Sequence, residues 1–452
     1  MNRSSFSGKL GFVLSAAGAS VGLGNIWRFP YLAAKHGGGI FLLIYVILAV
    51  TFGYTMIVAE TAVGRMTRKS PVGAFKALSE KKGIRAGGWI NAIVPMLIVP
   101  YYSVIGGWVI KYLVEYVRGN SLEIANDTYF SGFITSGIQC EIYFIIFAAI
   151  TMFIIFCGVR NGIERVSRIM MPILVVLAIV ISIYSCTREG ASAGVKYFLV
   201  PNAANFSWMT VVTAMEQMFY SLSIAMGILI TFGSYMKHEV SIERATIQVE
   251  IFDTVIAILA GLMIIPAVFA FSGGDPAVLA SGPSLMFVVI PKVFASMGLG
   301  SWVGILFFVL VLFAALTSSI ALSESAVSTF EDELGMSRKG ATVLMSVIML
   351  VLGSLSSLGY GPLANIKVFS MQFLDFFDFI SNSIMMPIGA LFICVLVFKV
   401  ITVRRVEEEV QLEGHSFKLK KIFNFMVRYL CPVFVIVILI TAILNVLGIV
   451  QV

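Results

Sequence analysis

Gly18-Ala19-Ser20-Val21-Gly22-Leu23-Gly24-Asn25-Ile26-Trp27-Arg28-Phe29-Pro30 is the stretch on which the fold turns. It lies inside the first long apolar segment, residues 9–34, where a membrane helix should hide its backbone. Instead it carries three glycines, Asn25 and the charge of Arg28. Glycine costs about 1 kcal/mol in a helix interior, and a charge at bilayer depth costs more. Non-helical backbone is tolerated there only where it is buried in protein or lines a cavity. Freed carbonyls, with Ser20 and Asn25 beside them, therefore read as ligands for something small and charged.

The rest of the composition agrees with a membrane setting. The chain has 452 residues, 59% of them hydrophobic and only 12% charged, and a mean hydropathy of +0.97. These values exclude an ordinary soluble domain. The net charge of +7 does not point to nucleic acid, because the basic residues cluster in short loops between apolar runs. Five cysteines (Cys140, Cys157, Cys186, Cys394, Cys431) are scattered without metal spacing, and an odd, dispersed set is no disulfide framework. The first run is too long and too broken by glycine for a cleavable signal peptide. A polytopic membrane protein follows.

Segments near 20 residues, enough for a ~30 Å hydrocarbon core, fall at 9–34, 39–64, 88–117, 141–158 and 166–186. They continue at 209–236, 244–272, 300–329, 340–358, 370–399 and 424–449, about eleven in all. Basic residues crowd the connections after segments 2 and 4, whereas loop 119–140 holds Glu123 and Asp127 and no Lys or Arg. The positive-inside rule then places the N-terminus in the cytoplasm and the C-terminus outside. The semi-apolar stretch 273–299 predicts a short re-entrant or capping element. Segment 6 echoes segment 1, since Ser221-Leu222-Ser223-Ile224-Ala225-Met226-Gly227 interrupts an apolar helix with small and hydroxyl residues. Interrupted helices at corresponding positions of two halves point to a transporter's midplane binding site.

Polar groups within such segments are functional hypotheses, each with a plainer alternative. Ala314, Thr317 and Ser318 share one helical face and could supply half an oxygen shell to a monovalent cation. The same hydroxyls could simply bond back to their own helix. Asp253 is a candidate ligand or a carboxylate of a helix's first turns, and Glu60 reads best as a satisfied structural carboxylate. Asp375 or Asp378 could be the partner that Arg28 needs, and Tyr102 is a ligand or a core aromatic.

Taken together, GASVGLGNIWRFPY (18–31), GGG (37–39), AETAVGR (59–65), EQMFYSLSIAMG (216–227), GPSLMFVVIPKVF (282–294) and LTSSIALSE (316–324) form a specific pattern. It resembles the neurotransmitter:sodium symporter family, in its bacterial eleven-helix amino-acid transporter branch, over nearly the whole chain. The resemblance implies an all-α polytopic membrane protein, a five-plus-five inverted repeat with broken helices 1 and 6 plus one extra C-terminal helix. Residues 1–452 are then one transmembrane transporter domain. Within it, 9–236 is the first repeat with the start of the second, 209–399 the second repeat and 424–449 the extra helix.

The resemblance also implies two sodium sites. The first uses the Ser20 carbonyl, Asn25, Ser221 and Asp253 with the substrate's own carboxylate; the second uses the carbonyls of Gly18, Val21 and Ala314 with Thr317 and Ser318. The substrate carboxylate is expected on the Leu23 and Gly24 amides and the Tyr102 hydroxyl, at the positive end of the broken helix. Its ammonium is expected on carbonyls around Ala19, Ser20, Tyr220 and Ser223. The implied side-chain pocket is Ile98, Tyr102, Tyr220, Met226, Ser318 and Leu322, which suits a hydrophobic L-amino acid. Gly22 replaces the carboxylate that monoamine members carry, so an amino acid is favoured over an amine. Of the groups that hold chloride in dependent relatives, Tyr45, Gln217 and Ser221 are present, but a serine position is Ala257. Asp253 can supply that charge permanently, so chloride is not expected; Asp253 is also expected to take a proton when sodium leaves. Arg28 with Asp378 is expected to close the outer side over Tyr102 and Tyr220, with Gln217 nearby, and Arg3 and Phe6 to meet Asp332 and Tyr235 on the inner side. Glu324 departs from the family pattern and receives no role.

The chain thus reads as a sodium-coupled symporter importing a hydrophobic L-amino acid by alternating access across a cell membrane. The alternatives are a proton- or other-cation-coupled carrier of the same architecture, or a transporter-like amino-acid sensor. An intramembrane enzyme has little support, because His36, His238 and His415 are isolated and no zinc-protease or serine–histidine motif occurs.

Overall fold

The computed structural model describes residues 4–273 and 285–446. α1 (Lys9–Ser20) and α2 (Gly24–Lys35) form one span bent by 53° at its middle. α3 (Gly39–Thr67), α4 (Lys82–Val117), α5 (Gly137–Phe156) and α6 (Val159–Cys186) follow. α7 (Trp208–Ser221) and α8 (Ile228–Tyr235) make the second broken span. α9 (Ile242–Ser272), the short α10 (Leu285–Ala295), α11 (Gly300–Leu334), α12 (Arg338–Leu358) and α13 (Phe373–Val400) come next. α14 (Val403–Val410) and α15 (Lys420–Asn445) complete the described chain. Among the described residues, nine long apolar helices and the two broken pairs give eleven spans, each set of five opening with a broken one. The capping element expected within 273–299 is α10, although residues 274–284 lie outside the described residues.

Both breaks follow from local chemistry. α1 ends where Val21 leaves helical geometry (φ −75°, ψ 87°), and the chain resumes as one wide turn over Gly24–Arg28 before Pro30 opens the regular part of α2. The second break has positive φ at Ser223 (54°), Ala225 (59°) and Gly227 (69°). Two of these are not glycine, a strain on the order of 1–3 kcal/mol each that neighbours must hold. Glu60 of α3 does so by accepting the Ala225 N–H at 2.8 Å. The Ser223 hydroxyl adds a bond to the Ala19 carbonyl at 3.1 Å, which ties the two breaks together.

Packing sets the breaks at the centre. α11 lies along α4, α8 along α3, and α1 is held between α9 and α11. α15 packs on α13 and leaves Val433, Ile436, Ile440 and Ile443 exposed at helical spacing, a stripe suited to lipid. Connections rich in Lys and Arg gather at one end, here termed the basic end. There the fully buried Arg65 donates to Glu409 Oε1 at 2.6 Å and to the Val240 carbonyl at 2.7 Å, docking α14 beneath α3.

Candidate functional site

Backbone freed at the two breaks converges on one small cavity of about 20 Å³. Its lining comprises Ala19, Ser20, Gly22, Leu23, Gly24, Asn25, Ile98, Tyr102, Tyr220, Ser221, Ser223, Met226, Ser318 and Leu322. All eleven residues expected to touch substrate are among them, with Ser221 of the first sodium position, drawn from α1, α2, α4, α7, α11 and the segments between α1 and α2 and between α7 and α8. The lining has no charged side chain. At its polar end the Leu23 N–H donates to the Tyr102 hydroxyl at 3.1 Å, so amide and phenol already point at one another where a carboxylate could accept from both. A Cβ on Gly22 would come within 2.7 Å of Ser318 Oγ and 3.0 Å of the Tyr102 hydroxyl oxygen, so this packing has no room for a side chain there.

Beside that end, the residues expected at the first sodium position meet. Asp253 Oδ1 accepts from Asn25 Nδ2 and from Ser221 Oγ, both at 2.8 Å, and Oδ2 accepts from the Tyr45 hydroxyl at 2.9 Å. Asp253 is fully buried, and three donors surround a charge that would otherwise be costly at this depth. The residues expected at the second sodium position also meet. Ser318 Oγ reaches the carbonyls of Gly18 (3.2 Å) and Val21 (3.4 Å), while Thr317 Oγ1 donates back to its own helix, to the carbonyls of Phe313 (2.9 Å) and Ala314 (3.1 Å), with its Cβ facing Gly18. Both sets are carbonyl, hydroxyl and carboxylate oxygens, the donors that a hard monovalent cation accepts.

Gln217 Nε2 donates to the Gly24 carbonyl at 3.0 Å. The Tyr45 hydroxyl is shared between Asp253 and Ser221 (3.2 Å), so this group of the expected anion cradle is turned to Asp253.

Above the site, Tyr102 and Tyr220 separate the small cavity from a vestibule of about 280 Å³ that both Arg28 and Asp378 line. Both groups face the vestibule, but among the described residues no ion pair joins Arg28 to Asp378. Arg28 lies instead 4.0 Å from Glu216 and over the Tyr220 ring at 5.3 Å. Asp378 accepts from the Tyr101 hydroxyl at 2.9 Å and from Asn382 at 2.6 Å. Asp375 accepts from Tyr360 at 3.1 Å.

Below the site the path is sealed. Phe6 is buried against Phe12, Phe232 and Tyr235, and its N–H donates to the Tyr235 carbonyl at 3.2 Å. Arg3 lies outside the described residues, and Asp332 accepts the Ser70 N–H at 2.6 Å. The Tyr235 hydroxyl donates to Glu324 at 2.7 Å. Glu324, left without a role by the sequence, is wholly buried and paired with Arg338 at 2.5 Å; Arg338 also reaches the Ile155 carbonyl of α5 at 2.9 Å. Reading for a basic partner to this carboxylate within the apolar part of α11 would have found Arg338, the first cation after the helix. The bond from the Ser7 N–H to Glu164 at 2.9 Å, which ties the N-terminal segment to α6, carried no such signal.

Comparison with known proteins matches these features. The model of the Sodium:neurotransmitter symporter family matches residues 3–123 and 114–450. An uncharacterized sodium-dependent transporter of Bacillus subtilis, YhdH, is 33% identical over 98% of both chains. A second, from Methanocaldococcus jannaschii, is 30% identical over 86% of this chain and 80% of its own. The crystal structure of MhsT in complex with L-phenylalanine superposes with a TM-score of 0.88 at 35% identity, covering 98% of this chain and 100% of that one.

Proposed function

The chain belongs to the sodium:neurotransmitter symporter family, and from that premise we propose that it imports a hydrophobic L-amino acid together with sodium, without a need for chloride. It is a sodium-dependent symporter and not an enzyme; substrate, ion sites and orientation are the parts proposed. The observation that carries the reading is the small central cavity, whose lining combines backbone and hydroxyl groups with Ile98, Met226 and Leu322 and has no charged side chain. A zwitterion with an apolar side chain fits such a lining, since a charged side chain would lie there unpaired. The superposed structure with L-phenylalanine supports the same class.

In the proposed cycle one sodium ion binds among Ser20, Asn25, Ser221 and Asp253 and touches the substrate carboxylate, which rests on the Leu23 and Gly24 amides and on Tyr102. The ammonium group takes carbonyls around Ala19, Ser20, Tyr220 and Ser223. A second ion binds among Gly18, Val21, Ala314, Thr317 and Ser318 and links α1 to α11. Ion and substrate that share a contact raise each other's affinity, as linkage requires. Asp253 fills the electrostatic place of chloride, supported by the two donors, Tyr45 and Ser221, that face it. Arg28 with Asp378, over Tyr220 and beside Gln217, closes the vestibule after loading. Phe6, Tyr235 and Asp332, with Arg3, part on the inner side. The basic end faces the cytoplasm and the C-terminus lies outside, supported by the gathering of Lys and Arg at that end.

The test is uptake of labelled L-amino acids into proteoliposomes under an inward sodium gradient, with chloride or gluconate outside. Sodium-driven accumulation of Leu, Phe, Tyr or Trp that ignores the anion is expected. A chloride requirement would overturn the role given to Asp253, and binding without accumulation would turn the reading to a sensor.

A further inference from the structure

α9 carries a second buried carboxylate that the proposed cycle does not use. Asp253, Glu250, Thr246 and Glu243 are spaced by three, four and three residues, which puts them on one helical face. At 1.5 Å per residue the stripe runs about 15 Å from the proposed first sodium position to the basic end. All four are buried, Glu250 at 6% exposure and the others at 2% or less. Their surroundings differ sharply. Asp253 has three side-chain donors. Glu243 accepts from the Tyr54 hydroxyl at 3.1 Å and from the Lys418 and Leu419 N–H groups at 3.0 and 2.9 Å. Between them, Glu250 accepts the Tyr54 N–H, but its Oε1 and the Thr246 hydroxyl have no hydrogen-bond partner among the described residues. Glu250 presses against Gly53 of α3, where a Cβ would lie 3.3 Å from Oε1 and the same distance from Met218 Sδ of α7. The titratable groups facing Glu250 are Asp253 on its own helix and Tyr45 and Tyr54 on α3; α7 offers Met218 and Leu222, and no basic side chain is among them.

A carboxylate at this depth with one oxygen unbonded and no basic side chain facing it is costly, and a bound proton removes the cost. We propose that Glu250 is a proton-binding site of this carrier, exchanging with water at the basic end along Thr246 and Glu243, and that sodium arriving at Asp253 one turn away expels the proton. The inference rests on the proposed sodium position at Asp253. With sodium absent, the pair holds one ionised and one protonated carboxyl group. With sodium bound, it holds two carboxylates and one cation. Net charge is −1 in both states, so one proton leaves when sodium binds at Asp253. This places the exchanged proton on Glu250 rather than on Asp253, whose charge three donors already meet.

The experiment follows proton release from purified wild-type protein in lightly buffered detergent solution, read by a pH-indicator dye between pH 5.5 and 8.5. Sodium chloride is added, with potassium chloride as the control. Up to one proton per protein is expected on sodium addition, with apparent sodium affinity weakening several-fold toward acid pH. In Glu250→Gln the release is expected to vanish, and sodium affinity to become flat with pH. No release from wild type at any pH, or unchanged release from Glu250→Gln, overturns the proposal. If Glu250→Gln does not fold, Glu250→Asp must move the pH of half-maximal release, and an unmoved value overturns it. Failure of amino-acid uptake would count against the transport reading alone, because proton release is scored on ion binding without substrate.

Discussion

At the residue scale, Gly22, Tyr102 and Asp253 set what the central cavity accepts. In Gly22→Ala the new methyl group would crowd Ser318 and the Tyr102 hydroxyl. Amino-acid affinity is expected to fall at least tenfold, measured by equilibrium binding, while the purified variant keeps its helical circular dichroism. Tyr102→Phe removes a hydroxyl that faces the Leu23 amide. A hydrogen bond to a charged group is worth about 1.5–3 kcal/mol, so substrate affinity is expected to weaken by roughly ten- to a hundredfold. Asp253→Asn removes the fixed negative charge, and Ala257→Ser adds a hydroxyl one turn away. Together they are expected to make uptake depend on chloride, compared in chloride and gluconate; a double variant indifferent to the anion would count against Asp253 as its substitute.

At the scale of elements, the segment between α7 and α8 depends on a single carboxylate from another helix. Glu60 is wholly buried, with Oε1 on the Ala225 amide and Oε2 without a hydrogen-bond partner among the described residues. Glu60→Leu would leave that amide unsatisfied beside two residues of positive φ. The loss is expected to be about 1–3 kcal/mol, seen as a lower thermal midpoint in detergent. Glu60→Gln keeps an acceptor oxygen and should lose less. The ordering separates a hydrogen-bonding role from a charge role, because a charge role would make the two substitutions equally harmful.

For the whole molecule, the seal at the basic end joins three elements through Glu324: its own α11, Arg338 of α12 and Tyr235 of α8. Removing one partner of a buried ion pair costs on the order of 3–5 kcal/mol, because the other charge is left unpaired. Arg338→Ala is therefore expected to favour the state open at that end. Faster amide exchange at Phe6, whose N–H now bonds Tyr235, would report the change, together with slower sodium-driven uptake. Unchanged exchange at Phe6 would show that this pair does not help to hold the seal. On the opposite side Arg28 and Asp378 both line the vestibule without an ion pair between them among the described residues, so in this state the expected outer contact is not made.

Taken by itself, the sequence determined the membrane setting, the eleven spans and the two breaks, and the family resemblance of its motifs supplied the residues expected to touch substrate, all among the fourteen that line the cavity. The spans and breaks are legible because apolar length and glycine at a helix centre are local signals with steep costs in a bilayer. The tertiary structure decided which charges meet. Arg28 turned to Glu216 and Tyr220, Tyr235 to Glu324, and Arg65 crossed the chain to Glu409. It also decided that Asp253 has three donors while Glu250, three residues earlier, has an oxygen with none. A one-dimensional pattern shows that a buried charge needs a partner, but which of several candidates comes within about 3 Å depends on how distant helices cross.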